Sequence, residues 1–337
     1  MDAHATWDKH ALWLSGPSLR GANVYQQDEG RDDGASQAGF GPALALSDLV
    51  ALRQAGANLV IFSVPGTFHV RTTTQWPAMQ AHLTTLVNWA EQADLFAVIA
   101  FRTGPGRGEG DITGDGLNDR SLYTNTTEQQ AWVQMWRETA TTFARRGHIV
   151  GYDIQVEPHG HTPAQWSTLA QSIVDGIREV DIHTPILVSP GNWGGYDALE
   201  GFAPLLDPYH RLVYSVHQYE PYEFTHEDAQ LGMTAIDSVL STIYSAITEW
   251  ASTHDSPVAI TEFGYDIGKR KATSLHYLSQ QLSELESRQL SHTIWLWEVV
   301  AADYHDFDVR FYSEVLQTMT AVWQQNTYYP STAPPPG

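Results

Sequence analysis

Ile149-Val-Gly-Tyr-Asp-Ile-Gln-Val-Glu157-Pro-His-Gly160 is the stretch on which the fold turns. It is largely apolar, too short for a helix, and stops at a carboxylate followed by Pro and Gly. That pattern reads as a buried strand running into a turn. Upstream, Glu128–Arg146 has helical spacing; downstream, so does Pro163–Val180, with Thr162 as a cap before Pro163. The same unit recurs outward in both directions. Apolar runs fall at Leu19–Tyr25, Ala57–Val64, Phe96–Arg102, Pro185–Ser189, Leu212–Tyr219, Val258–Phe263 and Thr293–Glu298. Between them the spacing predicts helices over Leu46–Ala55, Ala78–Gln92, Ala235–Ala251, Ser274–Leu285 and Phe311–Trp323, with Ser47 and Thr127 as further caps. Residues 190–210, with Pro190, Pro204 and Pro208, give the poorest helical pattern. Near-continuous apolar strands alternating with helices imply a parallel sheet covered on both faces, and eight such units imply a closed α/β barrel of the (β/α)8 (TIM) type.

The chain of 337 residues is read as one barrel over residues 1–329, with residues 1–16, including Trp7 and Trp13, covering its floor. Pro330–Gly337 reads either as the start of a flexible linker to a further module or as a frayed terminus. The first 20 residues carry no secretory signal pattern; a secreted protein is nevertheless expected. Net charge is −21 with 18 basic residues, which excludes a counterion-displacing nucleic-acid stripe or an anionic membrane surface as partner. No apolar run is long enough to span a bilayer. The absence of cysteine removes disulfides, thiolate catalysis and Cys-based zinc sites. A monomer without cofactor or catalytic metal is expected. Twelve Trp and fifteen Tyr in an acidic protein suit sugar stacking, although most rings should be packing.

Barrels of this kind build their sites at the C-terminal ends of the strands. Two apolar runs end there in glutamate, Glu157 and Glu262 of Val258-Ala-Ile-Thr-Glu262-Phe-Gly264. One such residue alone would be read as half of a local ion pair. Two facing one pocket are what retaining glycoside hydrolysis needs, a nucleophile and an acid/base about 5–5.5 Å apart. Whichever of the two is the acid/base is expected to be kept protonated by a partly apolar setting and by the charge of the other. His217 and Tyr219, two apart on the sixth strand, share a face and are expected beside Glu262. Trp295 and Trp297 also share a face by alternation; one is expected under the reacting sugar, the other in packing.

With these residues in place the chain resembles glycoside hydrolase family 5, the cellulase family. The resemblance runs through Leu19-Arg-Gly-Ala-Asn23, Gly56-Ala-Asn58, Gly151-Tyr-Asp, Glu157-Pro-His-Gly160, Ser215-Val-His217-Gln-Tyr219, Thr261-Glu262-Phe-Gly264 and Trp295. It implies Glu157 as acid/base, Glu262 as nucleophile, His217 and Tyr219 as site residues and Trp295 as the sugar platform, with an oligo- or polysaccharide of β-linked glucan or mannan as substrate. Three departures stand out. Val156 occupies the position of the family's Asn, whose amide binds the 2-hydroxyl of the reacting sugar; Gln155 reads either as one candidate replacement or as a bonded core amide. Ile61 stands where the second strand usually carries an Arg, and Arg102 is expected to take over that role beside Glu262. The usual His pair after the third strand is replaced by the stretch Phe101–Glu109, in which Arg107 reads either as a substrate contact or as an exposed charge. Asp111, Asp115 and Asp119 partly imitate a calcium loop but lack its closing glutamate, so a solvated turn is expected. The rivals are an exo-acting or glycolipid-cleaving glycosidase on the same machinery, and a sugar-binding barrel that has lost its chemistry.

Overall fold

The computed structural model describes residues 8–14, 16, 18–26, 44–66, 75–109, 119–299 and 306–332. Eight parallel strands close into a barrel in chain order: β1 (Arg20–Tyr25), β2 (Leu59–Pro65), β3 (Phe96–Thr103), β4 (Ile149–Asp153), β5 (Ile186–Val188), β6 (Leu212–Gln218), β7 (Val258–Phe263) and β8 (His292–Val299). Strand alternation divides the core in two. On β2, Leu59 and Ile61 join an interior cluster with Phe96, Val98, Leu187 and Val213, while Val60, Phe62 and Val64 face the helices. Both faces of each strand are therefore apolar, which is why the strands read as runs rather than alternations.

The helices Leu46–Gln54, Gln75–Gln92, Thr126–Phe143, Pro163–Arg178, Met233–His254, Ser274–Ser287 and Ser313–Trp323 cover the outside. The expected cap at Thr162 is present: its hydroxyl accepts from Gln165 N–H while the Gln165 side chain accepts from Thr162 N–H. The two other expected caps are displaced by two residues each. Ser47 lies inside its helix, whose N-cap is Ala45, with Asp48 accepting from the Ala45 amide. Thr127 is likewise internal, because the Asn125 side chain accepts from its amide and starts the helix earlier. Between β5 and β6 the weak helical pattern becomes two short 3-10 turns, Asn192–Gly194 and Tyr196–Leu199.

The floor is covered by the Ala11–Leu14 turn. Trp13 donates its indole N–H to Val150 O (2.9 Å), and Leu12 and Trp13 join the interior cluster. Gly151 leaves room for this plug: a Cβ there would lie 2.5 Å from Leu187 and 3.7 Å from Trp13. Trp7, Asp111 and Asp115 lie outside the described residues. Asp119 caps a turn, accepting from Ser121 N–H (2.9 Å).

Candidate active site

Ladder register explains why the candidate residues meet. His217 on β6 stands beside Glu262 on β7, just past a register shift at Val216. On β3 a second shift leaves Arg102 between Phe101, opposite Val64, and Thr103, opposite Pro65. Phe101 points outward onto Trp136, so Arg102 points into the barrel. Glu157 follows the end of β4 in the left-handed region, at φ 49°. Such a conformation costs a non-glycine residue about 1–3 kcal/mol and has to be held by its surroundings. Its carbonyl is held by His159 Nδ1–H (2.8 Å) and by Arg107 (3.2 Å).

Arg102 is the hub. Its guanidinium donates to Glu262 Oε1, to Glu157 Oε2 (3.3 Å), to Glu109 Oε1 (3.4 Å) and to Ser63 Oγ (2.7 Å). Ile61 belongs to the apolar interior below, so the cation reaches the site from the end of β3 rather than from β2. Tyr219 donates to Glu262 Oε2 (3.0 Å). His217 lies beside Glu262, its Nδ1 3.4 Å from Glu262 Oε2, and donates its hydrogen bond to Glu157 Oε1 (2.9 Å), so it bridges the two glutamates. One oxygen of each glutamate and a His217 nitrogen lie within 4.8 Å of one another. These three side chains also form the grouping, among the described residues, whose donors converge enough to hold a cation. The Arg102 guanidinium already supplies positive charge to both carboxylates there.

Buried charges need such partners. Burial alone would raise Glu157, but the His217 hydrogen bond and the nearby Arg102 bring it down to about 2. This reverses the expectation of a protonated Glu157, because two cationic donors outweigh the apolar surroundings. Glu262 is pushed up by its burial, against the pull of Arg102 and His217. His217 is raised: burial opposes its charge, but Glu262 and Glu157 favour it more. Below the pair, the buried Asp153 is pushed up to about 7 by desolvation, with His217 and Arg102 opposing and Glu262 assisting.

Arg102, Glu157, His217, Tyr219 and Glu262 line a cleft of about 670 Å³. Trp295 forms one wall, 5.5 Å from Tyr25 and 4.6 Å from the Arg102 guanidinium. Trp297 does not share that wall. Two residues of β1, Ala22 and Val24, pair with Ile294 and Glu298, so the extra residues of β8 break the alternation. Trp297 instead packs on Trp323 in the helix layer and donates to Asp48 O (3.1 Å). Gln155 is also absent from the cleft wall: it is fully buried and donates to Tyr123 Oη (2.6 Å). Arg107 is neither exposed nor in the cleft, but buried behind Glu157. Sequence reasoning missed Ser63, Asp153, Trp193 and His226. Trp193 carried a signal, an aromatic residue within Gly191-Asn-Trp-Gly-Gly195 at the end of β5.

A closed barrel with a buried and a half-buried carboxylate on a shared guanidinium at the strand ends has the layout of a barrel glycosidase. Comparison with known proteins agrees. The family model described as cellulase (glycosyl hydrolase family 5) matches residues 36–300, and the chain belongs to that family. Endoglucanase C of Acetivibrio thermocellus is 24% identical over 150 residues, 44% of this chain; the chain spans 42% of that relative's length. Two structures of Thermotoga maritima Cel5A, in complex with cellobiose and with mannotriose, superpose with TM-score 0.74 at 20% identity. They match 93% of this chain and 100% and 99% of their own.

Proposed function

We propose that this chain hydrolyses β-linked glucan or mannan chains by double displacement, with Glu262 as nucleophile and Glu157 as acid/base. The observation that carries the reading is the proximity of the two carboxylates, with oxygens within 4.8 Å. That closeness of their nearest oxygens favours the short carboxyl spacing of a covalent mechanism, about 5–5.5 Å, over the roughly 6.5–9.5 Å of an inverting one. In the first step a Glu262 oxygen bonds to the anomeric carbon, the glycosidic C–O bond breaks, and a proton reaches the leaving oxygen through Glu157. In this reading the proton comes from His217, whose hold on it burial weakens and the charges of Glu262 and Glu157 strengthen more. As Glu262 spends its charge in the new bond, the hold on His217 weakens and the proton passes along the 2.9 Å hydrogen bond to Glu157. In the second step water attacks the anomeric carbon, Glu157 takes its proton, Glu262 departs as carboxylate, and with that charge regained the proton returns from Glu157 to His217. Arg102 and Tyr219 keep Glu262 aimed and stabilise it as it leaves.

The proposed chemistry needs no side chain beyond those of one chain, and a monomeric enzyme is proposed. A polymeric substrate implies action outside the cell. The cellobiose and mannotriose bound by the structural neighbour motivate a test with both sugar series. Proton NMR of fresh hydrolysate from cello- and manno-oligosaccharides is expected to show the β anomer first. Initial α anomer would exclude double displacement, and no turnover on any β-glycan would favour a sugar-binding barrel.

A further inference from the structure

Arg107 and Glu109 are charged, buried and outside the cleft lining, so contact with substrate does not explain them. Burying an arginine is costly unless its charge is matched. Both residues sit on a tightly seated turn after β3. Gly104 and Arg107 exchange both backbone hydrogen bonds (3.0 Å each), and Gly108 N–H donates to Asp119 O (2.9 Å). A Cβ on Gly104 would lie 2.3 Å from Trp132, in the helix Thr126–Phe143. The turn therefore has a fixed place against the helix layer.

From that turn Arg107 donates to the carbonyl of Glu157 (3.2 Å). His159 also donates to that oxygen, but burial and Arg107 push His159 down to about 3, so Arg107 is the charged donor of the two. A charge-assisted bond is the stronger kind. It falls on the residue at φ 49°, whose conformation has to be held from outside. Glu109 completes the arrangement. Its Oε1 lies 3.7 Å from the Arg107 guanidinium and 3.4 Å from that of Arg102. Burial pushes the Glu109 carboxyl up, against the pull of both guanidiniums, so its charge depends on them. Arg102 in turn donates to the Glu157 side chain (3.3 Å). One buried carboxylate thus ties the cation on the main chain of Glu157 to the cation on its side chain.

We propose that Arg107, braced by Glu109, is a positioning residue for the acid/base: it fixes the Glu157 main chain so that the carboxyl meets His217 and the leaving oxygen together. This rests on the double-displacement reading above. Misplacing a catalytic group by about 1 Å can cost about 100-fold, and here the loss should fall only on bonds whose departing oxygen needs a proton. Dinitrophenolate leaves without one; phenolate does not. The probes are 2,4-dinitrophenyl and phenyl β-cellobioside with the matching β-mannobiosides, and kcat/KM reports the bond-breaking step for each. Arg107→Met/Glu109→Gln removes both charges of the pair together. In it kcat/KM on the phenyl glycoside should fall about tenfold or more, while that on the dinitrophenyl glycoside stays within about threefold. Glu109→Gln alone, nearly isosteric, should show the same selective loss in smaller measure and carries the test if the double variant does not fold. Equal losses on both leaving groups would show that the pair only supports the fold, and no loss on either would show that Glu157 needs no such brace; each result overturns the proposal. Wild-type protein inert on all four probes would instead overturn the hydrolase reading itself.

Discussion

Arg102 touches more of the site than any single side chain in it: Glu262, Glu157, Glu109 and Ser63. A lysine is a point charge on a flexible stem and cannot reproduce that planar fork. Arg102→Lys should lower kcat at least about 100-fold. With its cation displaced, Glu262 should rise further, so the acid limb of the pH–rate profile should move to higher pH; an unchanged profile would contradict the role. Asp153 gives a stability test. Its carboxyl stands at about 7 in the fold, above the ordinary value of 3.8. The folded state therefore favours the protonated form. The resulting stability is full below the unfolded value and is lost as pH rises through about 7. Asp153→Asn stays neutral throughout, so relative to it wild type should lose Tm between pH 5 and pH 8. A gap that does not change with pH would show that Asp153 does not titrate there. The two glutamates, His217, Tyr219, Trp295 and Arg102 were all legible in the chain, because each sits at the end of a run whose direction is plain. Asp153 and Ser63 were not, since nothing local shows which buried polar residue lies beneath a charge from another strand.

Single elements show where pattern reading stops working. Strict alternation put Trp295 and Trp297 on one face, and the irregular pairing of β8 with β1 put them on two. The division has consequences that can be measured separately. Trp297→Ala empties a packed site against Trp323 and should cost about 3–5 kcal/mol of stability, seen as a lowered denaturation midpoint. Trp295→Ala should in addition cut kcat/KM sharply, an effect that Trp297→Ala should not show in the folded protein. Of the two readings of Gln155 the bonded core amide holds, for a related reason: the ladder of β4 to β5 ends at Asp153, so the extrapolated face no longer applies at 155. Helix ends were legible where a side chain competes strongly for the first free amides. Thr162 and Gln165 close a reciprocal pair, and Thr162→Ala should cost about 1 kcal/mol. At the other two helices the deciding partners, Asp48 reaching back to Ala45 and Asn125 reaching forward to Thr127, lay outside the simple Ser/Thr signal.

At the scale of the whole molecule, closure in chain order brings residues from opposite ends of the sequence to one rim, and no local reading can give their distances. The order of strands and helices was legible because eight buried runs leave few other ways to cover both faces of a sheet. The barrel separates stability from chemistry along its axis. Trp13, with its hydrogen bond to Val150 at the floor, should behave as a stability residue: Trp13→Ala should lower Tm by several degrees and leave kcat unaltered. The rim carries the central claim, that Glu262 forms a covalent bond to sugar. The most direct measurement is peptide mass spectrometry after incubation with 2,4-dinitrophenyl 2-deoxy-2-fluoro-β-cellobioside, on which the wild-type protein should release a stoichiometric burst of dinitrophenol. The account predicts one fluorosugar per chain, carried by the peptide containing Glu262 and absent in Glu262→Ala. A burst with the label on any other residue would contradict it.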